Sequence, residues 1–214
     1  MQKLDKIQKA ILNYFRLSSS RSSRINKNCA FAIATSDNRP TYEIISEILE
    51  KGEINFHFVL KKYITIGRTK WEYSDNLSEL KHTWVDFLPN DLMFPLMSER
   101  LKEVIISCLS ENEGLSFLPV MVHINDEQRQ YFVLKFEHKL DVLHEEKTKY
   151  VKNTDLIFVP IFSFLKIAKY SIFHTPSDES EIPRILYING RMKKKIQEEK
   201  LSGVNFERIY NIWS

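Results

Sequence analysis

The chain has 214 residues, 43% of them hydrophobic and 28% charged, with a net charge of +3. A chain of this length buries roughly 70% of its unfolded surface and needs neither disulfide nor metal to hold a core. Five glycines count against phosphate-cradling loops, and two distant cysteines, Cys29 and Cys108, without CxxC or a Cys/His cluster, count against a zinc site. Both thiols read as buried and reduced, and the absence of an apolar signal core places the chain in the cytoplasm. Its longest apolar stretch, Leu156 to Leu165, contains Pro160 and is too short to span a bilayer.

The charge is unevenly placed. Residues 1–27 carry a net +6, which leaves −3 for residues 28–214. Leu4, Ile7, Ile11, Leu12 and Phe15 recur at helical spacing, which predicts an amphipathic helix over 3–17. Residues 17–24, Leu-Ser-Ser-Ser-Arg-Ser-Ser-Arg, read as a flexible linker, because their serines compete with helical hydrogen bonds. The expected division is therefore a basic helix and linker over 1–27, followed by one domain over 28–214.

Residues 29–35 predict a buried strand. Thr41 is placed to cap a helix over 42–51 that points Ile44, Ile45, Ile48 and Leu49 inward and ends at Gly52. Residues 54–60 and 62–73 predict two strands rich in aromatic and β-branched residues. Ser98 is a good cap for a helix to about Leu109, with Leu101, Val104, Ile105, Cys108 and Leu109 as its inner stripe. Residues 115–124 and 130–137 predict a hairpin across the polar turn Asn-Asp-Glu-Gln-Arg. Leu156 to Leu165 reads as a strand broken or edged by Pro160. Extended segments follow at 169–174 and 184–188, then a helix over about 190–200 and a last strand over 203–210. The fold class is α+β: mainly antiparallel sheet with several packed helices, plus the N-terminal amphipathic helix. An internal echo also appears. Ser98-Glu-Arg-Leu-Lys opens a helix leading to Gly114-Leu-Ser-Phe, and Gly190-Arg-Met-Lys opens another leading to Gly203-Val-Asn-Phe.

No GxSxG, HExxH or HxH is present, and the six histidines form no metal-ligand spacing. No cofactor is expected. Asp126 with Glu145-Glu146-Lys147 has the residue types of an Mg²⁺-dependent nuclease, in which carboxylates hold the metal and the lysine steadies the attacking water. Such triplets are frequent in a chain this charged, and a solvated turn accounts for them. The basic leader could bind nucleic acid through charge, yet it lacks the interleaved aromatics of a stacking platform.

An ordered series of segments carries more information. Trp84-Val-Asp-Phe-Leu-Pro, Ser98-Glu-Arg-Leu-Lys, Phe117-Leu-Pro-Val, Tyr131-Phe-Val-Leu-Lys-Phe, Leu140-Asp-Val-Leu and Leu201-Ser-Gly-Val-Asn-Phe together resemble the bacterial immunity families numbered eleven and forty-three of polymorphic toxin systems. The resemblance spans about 60% of the chain and does not reach the first 80 residues. It implies a non-enzymatic antidote that binds the toxic domain of a secreted protein in the producing cell, so the partner would be a protein. The motif residues themselves read as determinants of the fold. For docking, two concentrations of carboxylate stand out: Asp141, Glu145 and Glu146, and Asp178, Glu179 and Glu181 between Pro176 and Pro183. Acidic patches would speed encounter with a basic toxin cleft, and Phe173 and Tyr187 flank the second loop as expected aromatic anchors.

Overall fold

The computed structural model describes residues 13–19, 30–36, 39–66, 70–78, 80, 82–176 and 181–213. Two sheets and three longer helices build it, and the clearest sequence periods explain the best-defined elements. Helix α1 (Thr41–Lys51) buries Ile44, Ile45 and Ile48 and is closed by Gly52, as its spacing requires. Its N-cap is Pro40 without a side-chain hydrogen bond, so Thr41 is the first helical residue and not the cap. Helix α2 (Glu99–Cys108) is capped by Ser98, whose hydroxyl accepts the Leu101 amide, and it buries Leu101, Val104, Ile105 and Cys108. A four-residue turn of helix, α3 (Phe164–Ile167), and the helix α4 (Gly190–Glu198), capped by the Asn189 side chain, complete the set.

The larger sheet has seven strands. Strand β2 (Ala30–Ala34) pairs with β3 (Phe58–Ile66), and β4 (Lys70–Ser74) pairs with the far half of β3. The order continues through β7 (Leu115–Ile124), β8 (Glu127–Phe136), β6 (Leu96–Met97) and β5 (Phe87–Leu88). All these pairs are antiparallel except β3 with β7. Strand β3 runs straight through Lys61-Lys62, where a break between two strands was expected; the reversal falls between Ile66 and Lys70. Likewise the β7–β8 turn is only Asn125-Asp126, with Asn125 at φ +47°, and Glu127 to Gln130 belong to the strand. Those four polar residues are exposed, so pairing and not burial makes them extended.

The smaller sheet has the order β12 (Ile172–Phe173), β13 (Leu186–Asn189), β1 (Tyr14–Ser19), β14 (Val204–Arg208). Strand β1 corrects the expected helix over 3–17 at its end: Tyr14 to Leu17 are extended and pair antiparallel with β13 on one side and β14 on the other. The expected linker over 17–24 likewise begins as strand through Ser19. The remainder of both predictions lies outside the described residues, as does Cys29. Two short pairs remain: β9 (Lys149–Tyr150) with β10 (Ile157–Val159), and β11 (Phe162–Ser163) in parallel with β15 (Ile212–Trp213), a strand the sequence did not suggest. Pro160 separates β10 from β11, as expected.

Strand β8 divides two cores. Phe132, Leu134 and Phe136 join α2, α4 and the smaller sheet in one cluster, whereas Tyr131 and Val133 join α1, Phe58 and Val120 in the other. This is the period-two alternation of a strand buried on both faces. Each fully buried side chain of this size contributes about 1.5–3 kcal/mol.

The internal echo has a structural counterpart. Strands β6 and β7 run parallel, joined by α2, with β8 antiparallel between them; β13 and β14 run parallel, joined by α4, with β1 antiparallel between them. Both are β–α–β units split by one inserted strand, and α2 and α4 pack against each other.

Candidate partner-binding surface

Three of the six segments that carry the resemblance meet at one buried carboxylate. Asp86 is 7% exposed and lies in the apolar run Val85 to Leu88. Its Oδ1 accepts the Ser98 hydroxyl at 2.8 Å. Its Oδ2 accepts the Ser202 amide at 2.7 Å and the Ser202 hydroxyl at 2.8 Å. The Asp86 amide donates back to the Ser202 oxygen at 3.1 Å, and the Phe87 amide donates to the Ser202 carbonyl at 3.2 Å. Tyr131 donates its hydroxyl to the Val85 carbonyl at 2.8 Å, and burial raises the pKa of that phenol. Asp86 thus ties together β5, the cap of α2 and the entry to β14. The same hydroxyl that caps α2 donates to it, so these segments join parts of the frame.

The nuclease triplet is not gathered. Asp126 is at the tip of the β7–β8 hairpin, while Glu145 and Lys147 follow the other end of β8. Glu145 pairs with Lys166 at 2.9 Å, and the Lys147 ammonium stands 5.0 Å from the Trp213 ring centre. Among the described residues no group of three His, Cys, Asp or Glu side chains is placed to hold a metal ion, and no helix is long and apolar enough to cross a membrane.

Of the expected docking residues, Asp141 and Glu145 do come together, each 2.9 Å from Lys166 Nζ on α3, and their hydrogen bonds raise the lysine's pKa. Glu146 is exposed beside them. Lys166 therefore offsets part of the charge of Asp141 and Glu145. Asp178 and Glu179 lie outside the described residues; Glu181 is half exposed and 3.8 Å from Lys135. The expected anchors Phe173 and Tyr187 are core residues instead, 0% and 8% exposed. They stack on each other with ring centres 5.2 Å apart, and each meets Phe162 edge-on. Both sit on strands of the smaller sheet, whose inner face is covered.

Other apolar side chains do reach solvent. Phe158 is 72% exposed, Leu165 78%, Tyr210 76%, Leu156 61% and Trp213 51%, with Tyr150 and Val151 nearly half exposed. They fall in two chain segments that the structure joins. Phe162 pairs with Ile212, the Phe162 amide donates to the Asn211 carbonyl, and Asn211 Nδ2 donates to the Pro160 carbonyl at 2.6 Å. The acidic cluster belongs to the same assembly, since the His144 amide donates to the Ile161 carbonyl and the Ser163 amide to the Val142 carbonyl. Sequence reasoning missed these residues. Phe158 and Leu165 sit in an apolar run read as a strand broken or edged by Pro160, and nothing local to Tyr210 or Trp213 announces exposure.

Tyr42, Met93 and Ile106 are exposed elsewhere, so these two segments carry the most exposed apolar side chains but not all of them. The chain belongs to the immunity protein family Imm11, whose family model matches residues 72–211. The match covers about two thirds of the chain and includes every segment that carried the resemblance. No curated protein matches the chain.

Proposed function

We propose that this immunity protein neutralises a cognate toxin domain by binding it, without chemistry of its own, in the cytoplasm of the bacterium that makes both. The family match over residues 72–211 carries this reading. Docking is assigned to the face formed by Phe158, Leu165, Tyr210 and Trp213, large exposed side chains of the kind that dominate interface energetics. Asp141, Glu145 and Glu146 act at its margin. Asp178, Glu179 and Glu181 steer a basic toxin toward the molecule. The test is co-expression with the toxin domain encoded next to this chain. Cells should survive the toxin only when the immunity protein is present, and the two purified proteins should elute as one complex. Killing that is unaffected by the protein, or two proteins that never co-elute, rejects the reading.

A further inference from the structure

The turn between β5 and β6, Pro89-Asn-Asp-Leu-Met-Phe-Pro, is held with unusual completeness. Asn90 is 2% exposed; its Oδ1 accepts the Phe94 amide at 2.9 Å, and its Nδ2 donates to the Phe94 carbonyl at 2.8 Å. The Asp91 carboxylate accepts the Ala34 amide at 3.0 Å and the Leu92 amide at 3.1 Å. Between these clamps Met93 has φ +59° and is 46% exposed. A side chain in that backbone region costs about 1–2 kcal/mol, and an exposed methionine recovers nothing from the core.

Met93 borders a cleft of about 350 Å³ between the two sheets, floored by Phe87, Phe94, Pro95 and Leu186. Arg16 of β1 and Arg184, just ahead of β13, also line it. Glu207 lines it too and is ion-paired with Arg16 at 3.8 Å, too long for a hydrogen bond, while the buried Arg16 Nε has no hydrogen-bond partner among the described residues. Arg184 is exposed and makes no ion pair among the described residues. Arg184 and Ile185 continue into a second groove of about 380 Å³ walled by Leu156, Ile157 and Pro183. The two hollows share Arg184 and Ile185, and the second reaches Leu156 and Ile157, the neighbours of Phe158 in the chain.

We propose that this cleft seats an extended segment of the toxin domain that carries an Asp or Glu flanked by apolar residues. The carboxylate is received by Arg184 and by the half-exposed guanidinium of Arg16, in the planar fork geometry that suits guanidinium to carboxylate. The flanking apolar residue lies against Met93 and Phe94, the flexible thioether fitting its shape. The proposal rests on a toxin domain being the partner. Two guanidinium groups against the one carboxylate of Glu207 make an acidic segment of that toxin the complementary one here, whatever the toxin's overall charge.

The test measures affinity between the full chain and a catalytically inactivated form of the toxin domain, by calorimetry, for the native protein, Arg184→Glu, Met93→Asp and the control Lys194→Glu. Lys194 is 78% exposed and lines neither groove. Arg184 and Met93 are exposed, so their variants should keep the native melting temperature, and each should weaken binding about tenfold or more, while the control binds as the native chain does. Native-like affinity in both groove variants overturns the proposal and leaves the antidote reading standing. Absence of binding by the native chain removes both. A native chain that dimerises in solution, with Arg184→Glu making it monomeric, would assign the cleft to a second copy and also overturn the proposal.

Discussion

At the scale of single residues, two buried polar groups set the molecule's tolerance to change. Asp86 accepts three charge-assisted hydrogen bonds from Ser98 and Ser202. Removing the carboxylate orphans three donors on two segments, so Asp86→Ala should lower unfolding stability by about 3 kcal/mol in urea titration. Ser202→Ala added to it should cost little more, because the partner is already gone. His174 is the second group. It is 1% exposed against the Phe136 ring, with Nδ1 on the Thr175 carbonyl and Nε2 without a partner. Burial lowers its pKa from 6.5 to about 4. Between those values the unfolded chain binds a proton that the folded chain does not, so stability falls as pH drops through that window, by about 3 kcal/mol in full. His174→Phe should lose much less between pH 7 and pH 4.5 in paired urea titrations; equal losses in both proteins would remove the histidine from the account.

At the scale of elements, the two split β–α–β units share a grammar: a polar cap, a helix, then a glycine at positive φ before the returning strand. The two glycines do not carry equal loads. Gly203 has φ +73°, and a Cβ there would stand 2.6 Å from the Phe87 carbonyl oxygen and 2.8 Å from Val85 Cβ. Gly114 has φ +55°, and its Cβ would meet only the side chain of His138, which is exposed and can swing aside. Gly203→Ala should therefore destabilise by about 3 kcal/mol and Gly114→Ala by about 1 kcal/mol, measured as a shift in urea midpoint. Where an element's own period decided its state, the sequence was readable: Ser98 with the α2 stripe, and the alternation of Phe132, Leu134 and Phe136. Where distant pairing decided, it was not. Phe15 fits a helical stripe as well as a strand, and only β13 and β14, more than 150 residues away, select the strand. Lys61-Lys62 looks like a break between strands, yet pairs of ladder partners on β2 and β4 carry β3 through it.

At the scale of the whole molecule, the sequence announced the charges at the margin of the proposed docking surface but not the apolar side chains proposed as its centre. Asp141, Glu145 and Glu146 are visible as a cluster in any reading, whereas the exposure of Phe158, Leu165, Tyr210 and Trp213 depends on how β10, β11 and β15 meet. The structure also changes what the acids can do. Asp141 and Glu145 share Lys166, and Lys147 lies over Trp213, so part of the acidic charge is already paired. Rim charges in that setting are worth little, and a desolvated aromatic is worth about 2 kcal/mol or more. Two variants separate these contributions. Glu145→Gln with Glu146→Gln should leave the dissociation rate of the toxin complex nearly unchanged. Trp213→Ala with Phe158→Ala should raise it by about thirtyfold or more, because most differences among variants of one interface appear in dissociation. Both double variants alter exposed side chains, so circular dichroism and melting temperature should match the native protein. If the aromatic pair dissociates at the native rate, the docking face lies elsewhere on the molecule.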